Sequence, residues 1–191
     1  HGDHRAASTA KIYDGYGRFG CSAVLIDPMW ALTAGHCLPD NPHGTLGFGV
    51  NGQHARTPYS TTIHHPDRNV DIGLIKLDRP AHGVRVASYN LNPFHMNNGQ
   101  TGHVYGWGGH ADDRGQPGAA PVRVQDRMSS FHVAGTYAKL TTFGTTNGSR
   151  IVPGDSGGPV FMDHDNSTVS GISSYSNTTH PHLVWSTPSH I

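Results

Sequence analysis

The stretch Val152-Pro153-Gly154-Asp155-Ser156-Gly157-Gly158-Pro159 restricts what this chain can fold into more than any other. Its glycines at 154, 157 and 158 let the backbone bend sharply and let another chain approach with no side chain in the way. One serine stands inside the bend, with an acid directly before it and a proline closing the run. A bend of that kind presents a serine hydroxyl and aims two backbone N–H groups at one point, the arrangement of a nucleophile beside an oxyanion site. A serine attacks poorly by itself, so the rest of the chain has to supply a base and an acid that orients the base.

With 191 residues there is room for one large domain or for two small ones sharing a core. Only 14% of residues are charged, and 25 Gly and 13 Pro punctuate the chain, which suits a β-rich globular fold. Short strands are expected at Lys11–Tyr13, Ala23–Ile26, Trp30–Thr33, Leu46–Val50, Thr61–His64, Ile72–Leu77 and Val84–Ala87. A second series is expected at Thr101–Trp107, Val122–Met128, Phe131–Val133, Tyr137–Leu140, Val160–Met162, Thr168–Tyr175 and Leu183–Ser186. No amphipathic helix and no repeat stands out. Many short strands at close spacing read as barrels or a sandwich. The polar run from Tyr89 to Gln100, with Pro93 and its asparagines, reads as a connector: residues 1–88 form one half, 89–100 the link and 101–191 the other half.

The 13 basic and 13 acidic residues cancel, and no Lys/Arg cluster or long apolar run is present. Nucleic acid and membrane are therefore not expected partners. The opening His1-Gly2-Asp3-His4-Arg5 has no apolar leader, as expected of a mature form from which one has been removed. Cys21 and Cys37 make an even pair, which fits a disulfide and an exported protein, two reduced thiols being the alternative.

Among 16 histidines, His36 is singled out by its setting in Thr33-Ala34-Gly35-His36-Cys37, directly after an apolar run. An imidazole held at a strand end is what a general base requires. Asp71 heads the apolar run Asp71-Ile72-Gly73-Leu74-Ile75-Lys76-Leu77. A carboxylate partly buried there needs a donor, and a histidine N–H is one. The pairs His64-His65 and His180-Pro181-His182 are the closest histidine clusters, but neither has a Cys or acid at ligand spacing in a helical His-Glu-x-x-His arrangement, so no metal and no cofactor is expected.

These segments, with Tyr105-Gly106-Trp107-Gly108, occur in the order His, Asp, Ser and together resemble the chymotrypsin/trypsin-like serine protease family over about residues 20–186. The resemblance implies an all-β fold of two six-stranded antiparallel barrels with the active site between them. It also implies a Cys21–Cys37 bridge. By the same resemblance Ser156 is the nucleophile, His36 the base and Asp71 the acid that orients it. The N–H groups of Gly154 and Ser156 are implied as the oxyanion hole, worth about 3–4 kcal/mol of barrier per donor. Ser174, Tyr175 and Ser176 are implied as the edge on which an extended substrate adds as a β-strand.

Three departures from the family pattern bear on function. The residue six before the serine, at the base of the family's specificity pocket, is Arg150; with His182 and Ser176 it makes a polar, partly positive pocket that favours an acidic side chain, the alternative being a pocket partly filled by its own residues. A pocket cysteine of the family is replaced by Val152. The family's apolar N-terminus, whose amine pairs with the acid before the serine, has no counterpart in His1-Gly2, so buried Asp155 needs other donors, with Arg150 and the His1 amine as candidates. The expectation is a secreted, monomeric serine endopeptidase acting on polypeptides. The rivals are an esterase on the same scaffold and an inactive relative kept as a binding module.

Overall fold

A computed structural model of the chain describes residues 4–66, 70–90, 95–108, 115–133, 136–149, 152–176 and 183–187, with 50, 128–133, 136–140, 175–176 and 183–187 described by backbone alone. A four-residue helical turn, α1 (His4–Ala7), leads into six strands: β1 (Thr9–Asp14), β2 (Phe19–Asp27), β3 (Trp30–Thr33), β4 (Gly44–Phe48), β5 (His54–His64) and β6 (Gly73–Leu77). They close into an antiparallel barrel in the order β1-β2-β3-β6-β5-β4. The second sheet holds β7 (Ser88–Tyr89), β8 (Thr101–Gly106), β9 (Gly118–Val133), β10 (Thr136–Thr145), β11 (Pro159–Met162), β12 (Asp165–Ser176) and β13 (Leu183–Thr187). Its order is β11-β8-β9-β10-β13-β12-β7, and β11 also pairs with β12, so six of its strands form a closed ring. The two-residue β7 lies parallel on β12 outside that ring. The expected all-β architecture of two barrels is the one observed.

Burial explains why the central strands are apolar without a break. In β2, Ala23 and Leu25 point into the first barrel with Ala31, Leu46, Phe48, Tyr59 and Ile75. Val24 points the other way, into a cluster with Leu32, Ile72, Tyr105, Phe161, Val169 and Ile172. That cluster draws on both barrels and is the layer between them. The second barrel has its own interior of Val104, Val122, Val124, Phe143, Val160 and Met162. A strand facing a barrel interior on one side and the neighbouring barrel on the other is buried on both faces, so its period-two pattern disappears. Each fully buried Val, Leu or Ile in these layers contributes about 1.5–3 kcal/mol.

The strand expectations hold in the first barrel's centre and miss at the margins. β5 begins at His54 rather than Thr61, and β9 runs unbroken through both the 122–128 and 131–133 segments. Val84–Ala87 joins no ladder; the Ala87 N–H bonds to the Leu25 carbonyl at 2.9 Å, and the short β7 follows directly.

Candidate active site

β3 ends at Thr33, and the chain then makes one 3-10 turn, Gly35–Cys37, which carries His36. The Cys37 N–H closes the turn on Ala34 O at 3.0 Å, and a disulfide joins Cys37 to Cys21 on β2. His36 is thus set on a short, covalently anchored turn at the barrel's edge. Gly35 lets the turn lie against Asp71, because a Cβ there would sit 3.2 Å from Asp71 Oδ1. Asp71 stands just ahead of β6 between buried Val70 and Ile72.

Both oxygens of Asp71 are engaged. Oδ1 accepts the backbone N–H of His36 at 2.8 Å, and Oδ2 accepts His36 Nδ1–H and the Ser174 hydroxyl, each at 2.6 Å. Burial alone would push this carboxyl up, but the His36 ring, the Ser174 hydroxyl and the His36 N–H together outweigh it and hold the carboxyl below the usual aspartate range. Ser174 is itself fully buried. Its carbonyl takes the Ser156 hydroxyl at 3.3 Å, so one residue of β12 touches both Asp71 and Ser156. His36 and Asp71 come from the first barrel and Ser156 and Ser174 from the second, so the four meet where the barrels meet.

The turn that carries Ser156 is built by glycine. Gly154 and Gly157 have φ of +98° and +87°, a region that side chains rarely adopt. Among the described residues, the N–H groups of Asp155, Gly157 and Gly158 are hydrogen-bonded, whereas those of Gly154 and Ser156 have no partner. One unpaired donor is thus the serine's own N–H and the other lies two residues ahead of it; free N–H groups are the kind of donor an oxyanion site uses.

Two residues that sequence reasoning passed over or left open hold this turn. Ser22 is fully buried in β2; its hydroxyl donates to Gly154 O at 2.8 Å and accepts the Trp107 N–H at 2.9 Å, and its N–H donates to Ser156 O at 2.8 Å. A lone hydroxyl in the run Cys21-Ser22-Ala23-Val24-Leu25 is the signal that could have found it. Asp155 is 9% exposed, and its carboxylate accepts the Gly108 N–H at 2.9 Å and the Val152 N–H at 3.0 Å. Among the described residues it has no charged partner; both expected candidates, Arg150 and His1, lie outside them. Burial therefore pushes the Asp155 carboxyl up, and the two N–H groups offset only part of that. Gly108 is what allows this approach, since a Cβ there would meet Asp155 N at 2.6 Å.

Of the remaining expected site residues, Tyr175 and Ser176 lie on β12, paired with Trp185 and Val184 of β13. β12 outruns β11 after Ile172, so the 174–176 stretch has strand pairing only on its β13 side among the described residues. Arg150 and His182 lie outside the described residues. Among those described, the one group of three metal-type donors already within ligand distance is Cys21, His36 and Cys37, and its two sulfurs are bonded to each other.

Two antiparallel barrels, with His36 and Asp71 on one side of their junction and Ser156 and Ser174 on the other, define a scaffold of the chymotrypsin type. The trypsin family model matches residues 2–186, and the chain belongs to that family. An uncharacterized peptidase of Corynebacterium glutamicum (strain R) is 32% identical over 161 residues, covering 84% of this chain and 55% of the relative. The chain thus spans about half the length of the corynebacterial relatives it matches. Human kallikrein-2 is 28% identical over 183 residues, 81% of this chain and 69% of that protein. Among solved structures, mouse neuropsin, a serine protease, superposes with a TM-score of 0.74 at 23% identity, covering 97% of this chain and 90% of that one. Human heparin binding protein gives 0.74 at 20% identity, covering 97% and 87%. At these identities the two structures share the fold.

Proposed function

We propose that the chain is the catalytic unit of a secreted serine endopeptidase that cleaves polypeptides through an acyl-enzyme. Ser156 attacks the scissile carbonyl, His36 Nε2 takes its proton and returns it to the leaving amine, and Asp71 holds the ring by Nδ1–H and stabilises the imidazolium. The N–H groups of Gly154 and Ser156 receive the oxyanion. The 174–176 edge of β12 takes the substrate as an added strand. The bond from Ser156 to Ser174 is long for a hydroxyl, and the hydroxyl gives it up to reach His36 when substrate is seated. Secretion is supported by the disulfide, which persists in oxidising compartments. Preference for an acidic residue before the scissile bond rests on the sequence positions of Arg150, Ser176 and His182.

The observation that carries this reading is the grip on Asp71: His36 from one side and Ser174 from the other, with the Ser174 carbonyl on Ser156. The test is covalent labelling by a fluorophosphonate probe, followed by substrate profiling of the same preparation. Labelling is expected in the wild type and absent in Ser156→Ala, with casein cleaved and peptides with acidic residues turned over best. A folded wild type that takes no label at neutral pH overturns the enzyme reading and leaves a binding module. Ester hydrolysis without casein cleavage assigns an esterase instead, and best turnover after basic or aromatic residues rejects the acidic preference.

A further inference from the structure

At the far end of β11 from Ser156, the chain turns through Asp163 and His164 into β12, which begins at Asp165. The segment leading into β8 lies against this turn. His164 Nε2–H donates to the His95 carbonyl at 3.0 Å, and the two rings stand edge to face with centroids 4.9 Å apart. The His95 ring is 17% exposed, and its Nε2 lies 3.2 Å from Asp165 Oδ2. That nitrogen is nevertheless shut off from water and makes no hydrogen bond. The ring nitrogen and the carboxylate oxygen thus stand at the spacing of two ligands on one ion, with no hydrogen bond between them. In a tetrahedral centre with bonds of about 2.0 Å, neighbouring ligand atoms are roughly 3.3 Å apart. The outer contacts suit the same use. Asp165 Oδ1 accepts the Thr168 hydroxyl at 2.9 Å, and the Asn90 amide lies 3.4 Å from His95 Nδ1, placed to fix the ring's orientation.

We propose that His95, Asp165 and His164 bind Zn2+, with water as the fourth ligand, and that the ion pins the segment before β8 to the β11–β12 turn. His95 and Asp165 already stand at ligand spacing. His164 is exposed and completes the set by a side-chain rotation that gives up its bond to the His95 carbonyl. Two imidazoles and one carboxylate suit a borderline ion such as zinc and not calcium or magnesium, which take oxygen ligands. The site goes beyond the proposed hydrolase activity and does not depend on it, since β11 separates it from Ser156 by roughly 13 Å of extended chain.

Zn2+ titrated into the metal-free chain in competition with a chromophoric chelator tests this, with Co2+ absorption as a second readout. About one Zn2+ should bind per chain, and Co2+ should give the intense visible bands of a tetrahedral site. Asp165→Asn and His164→Ala should each weaken binding on the order of tenfold or more. His82→Ala, at an exposed turn, and His36→Ala should leave it unchanged. His164→Ala removes an exposed side chain and so keeps the test valid if Asp165→Asn folds poorly. No bound Zn2+, binding equal to wild type in both site variants, or binding lost in His36→Ala would each overturn the proposal.

Discussion

Asp71 and Asp155 are both largely buried, and their surroundings move them in opposite directions. Asp71 accepts three hydrogen bonds, two of them from His36, and is held below the usual aspartate range; Asp155 accepts two backbone N–H groups and is raised. A depressed carboxyl contributes stability that is complete above the unfolded value, about 3.9, and is lost as pH falls through the folded value. A raised one works against the fold as pH climbs through its folded value. Replacing Asp71 by Asn removes the first effect. Between about pH 5 and pH 2 the unfolding free energy of Asp71→Asn should therefore fall less steeply than that of the wild type, as read by urea melts at each pH. In the same variant an amide faces the ring nitrogen and favours the wrong tautomer, so turnover at neutral pH should drop by roughly 10⁴-fold. A variant with unchanged turnover removes Asp71 from the mechanism. At this scale His36, Asp71 and Ser156 were legible because each sits in a short local pattern. Ser22 was not, because its bonds to Gly154, Ser156 and Trp107 join residues far apart in the chain.

The turn around Ser156 depends on glycine at Gly157 for two separate reasons. Its φ of +87° is one that side chains rarely adopt, and a Cβ would run into Ser22 O and Thr33 Oγ1 of the first barrel. Gly157→Ala should abolish fluorophosphonate labelling and lower Tm. Gly17→Ala is the control, because φ is +79° there but a Cβ would meet nothing within 4 Å. It should keep its labelling and lose only about 1 kcal/mol. Equal labelling in the two variants would remove the packing argument. Element boundaries were the least legible level. β9 and β10 run longer than their apolar cores because each pairs with the other along most of its length, from Thr136↔Val133 to Thr145↔Val122. Pairing, not composition, carries such strands through Ser and Thr. Val84–Ala87 has the right residues for a strand but meets β2 through a single bond at Ala87.

Across the molecule, the layer between the barrels is what makes the two rings one unit. Phe161 lies fully buried in it, 5.8 Å from the Tyr105 ring and nearly perpendicular to it, in one cluster with Val24, Leu32 and Ile72 of the first barrel. Phe161→Ala should cost about 3–5 kcal/mol, and unfolding followed by far-ultraviolet dichroism and by tryptophan fluorescence should remain one coincident transition. Two separated transitions would mean that the barrels fold independently. The sequence by itself determined the β class and the disposition of His36, Asp71 and Ser156 along the chain. These follow from local chemistry: apolar runs between turn residues, a histidine beside a cysteine, a serine among glycines. The partner of Asp155 was decided only in three dimensions, as were the burial of Ser22, the double role of Ser174 and the meeting of His95 with Asp165. The bend from Gly154 to Pro159 is also held from the other barrel, by the Ser22 hydroxyl and N–H. Apart from the Val152 N–H on Asp155, each of these contacts is a hydrogen bond or close approach between segments distant in sequence, fixed by how two closed sheets pack, and no local pattern encodes that.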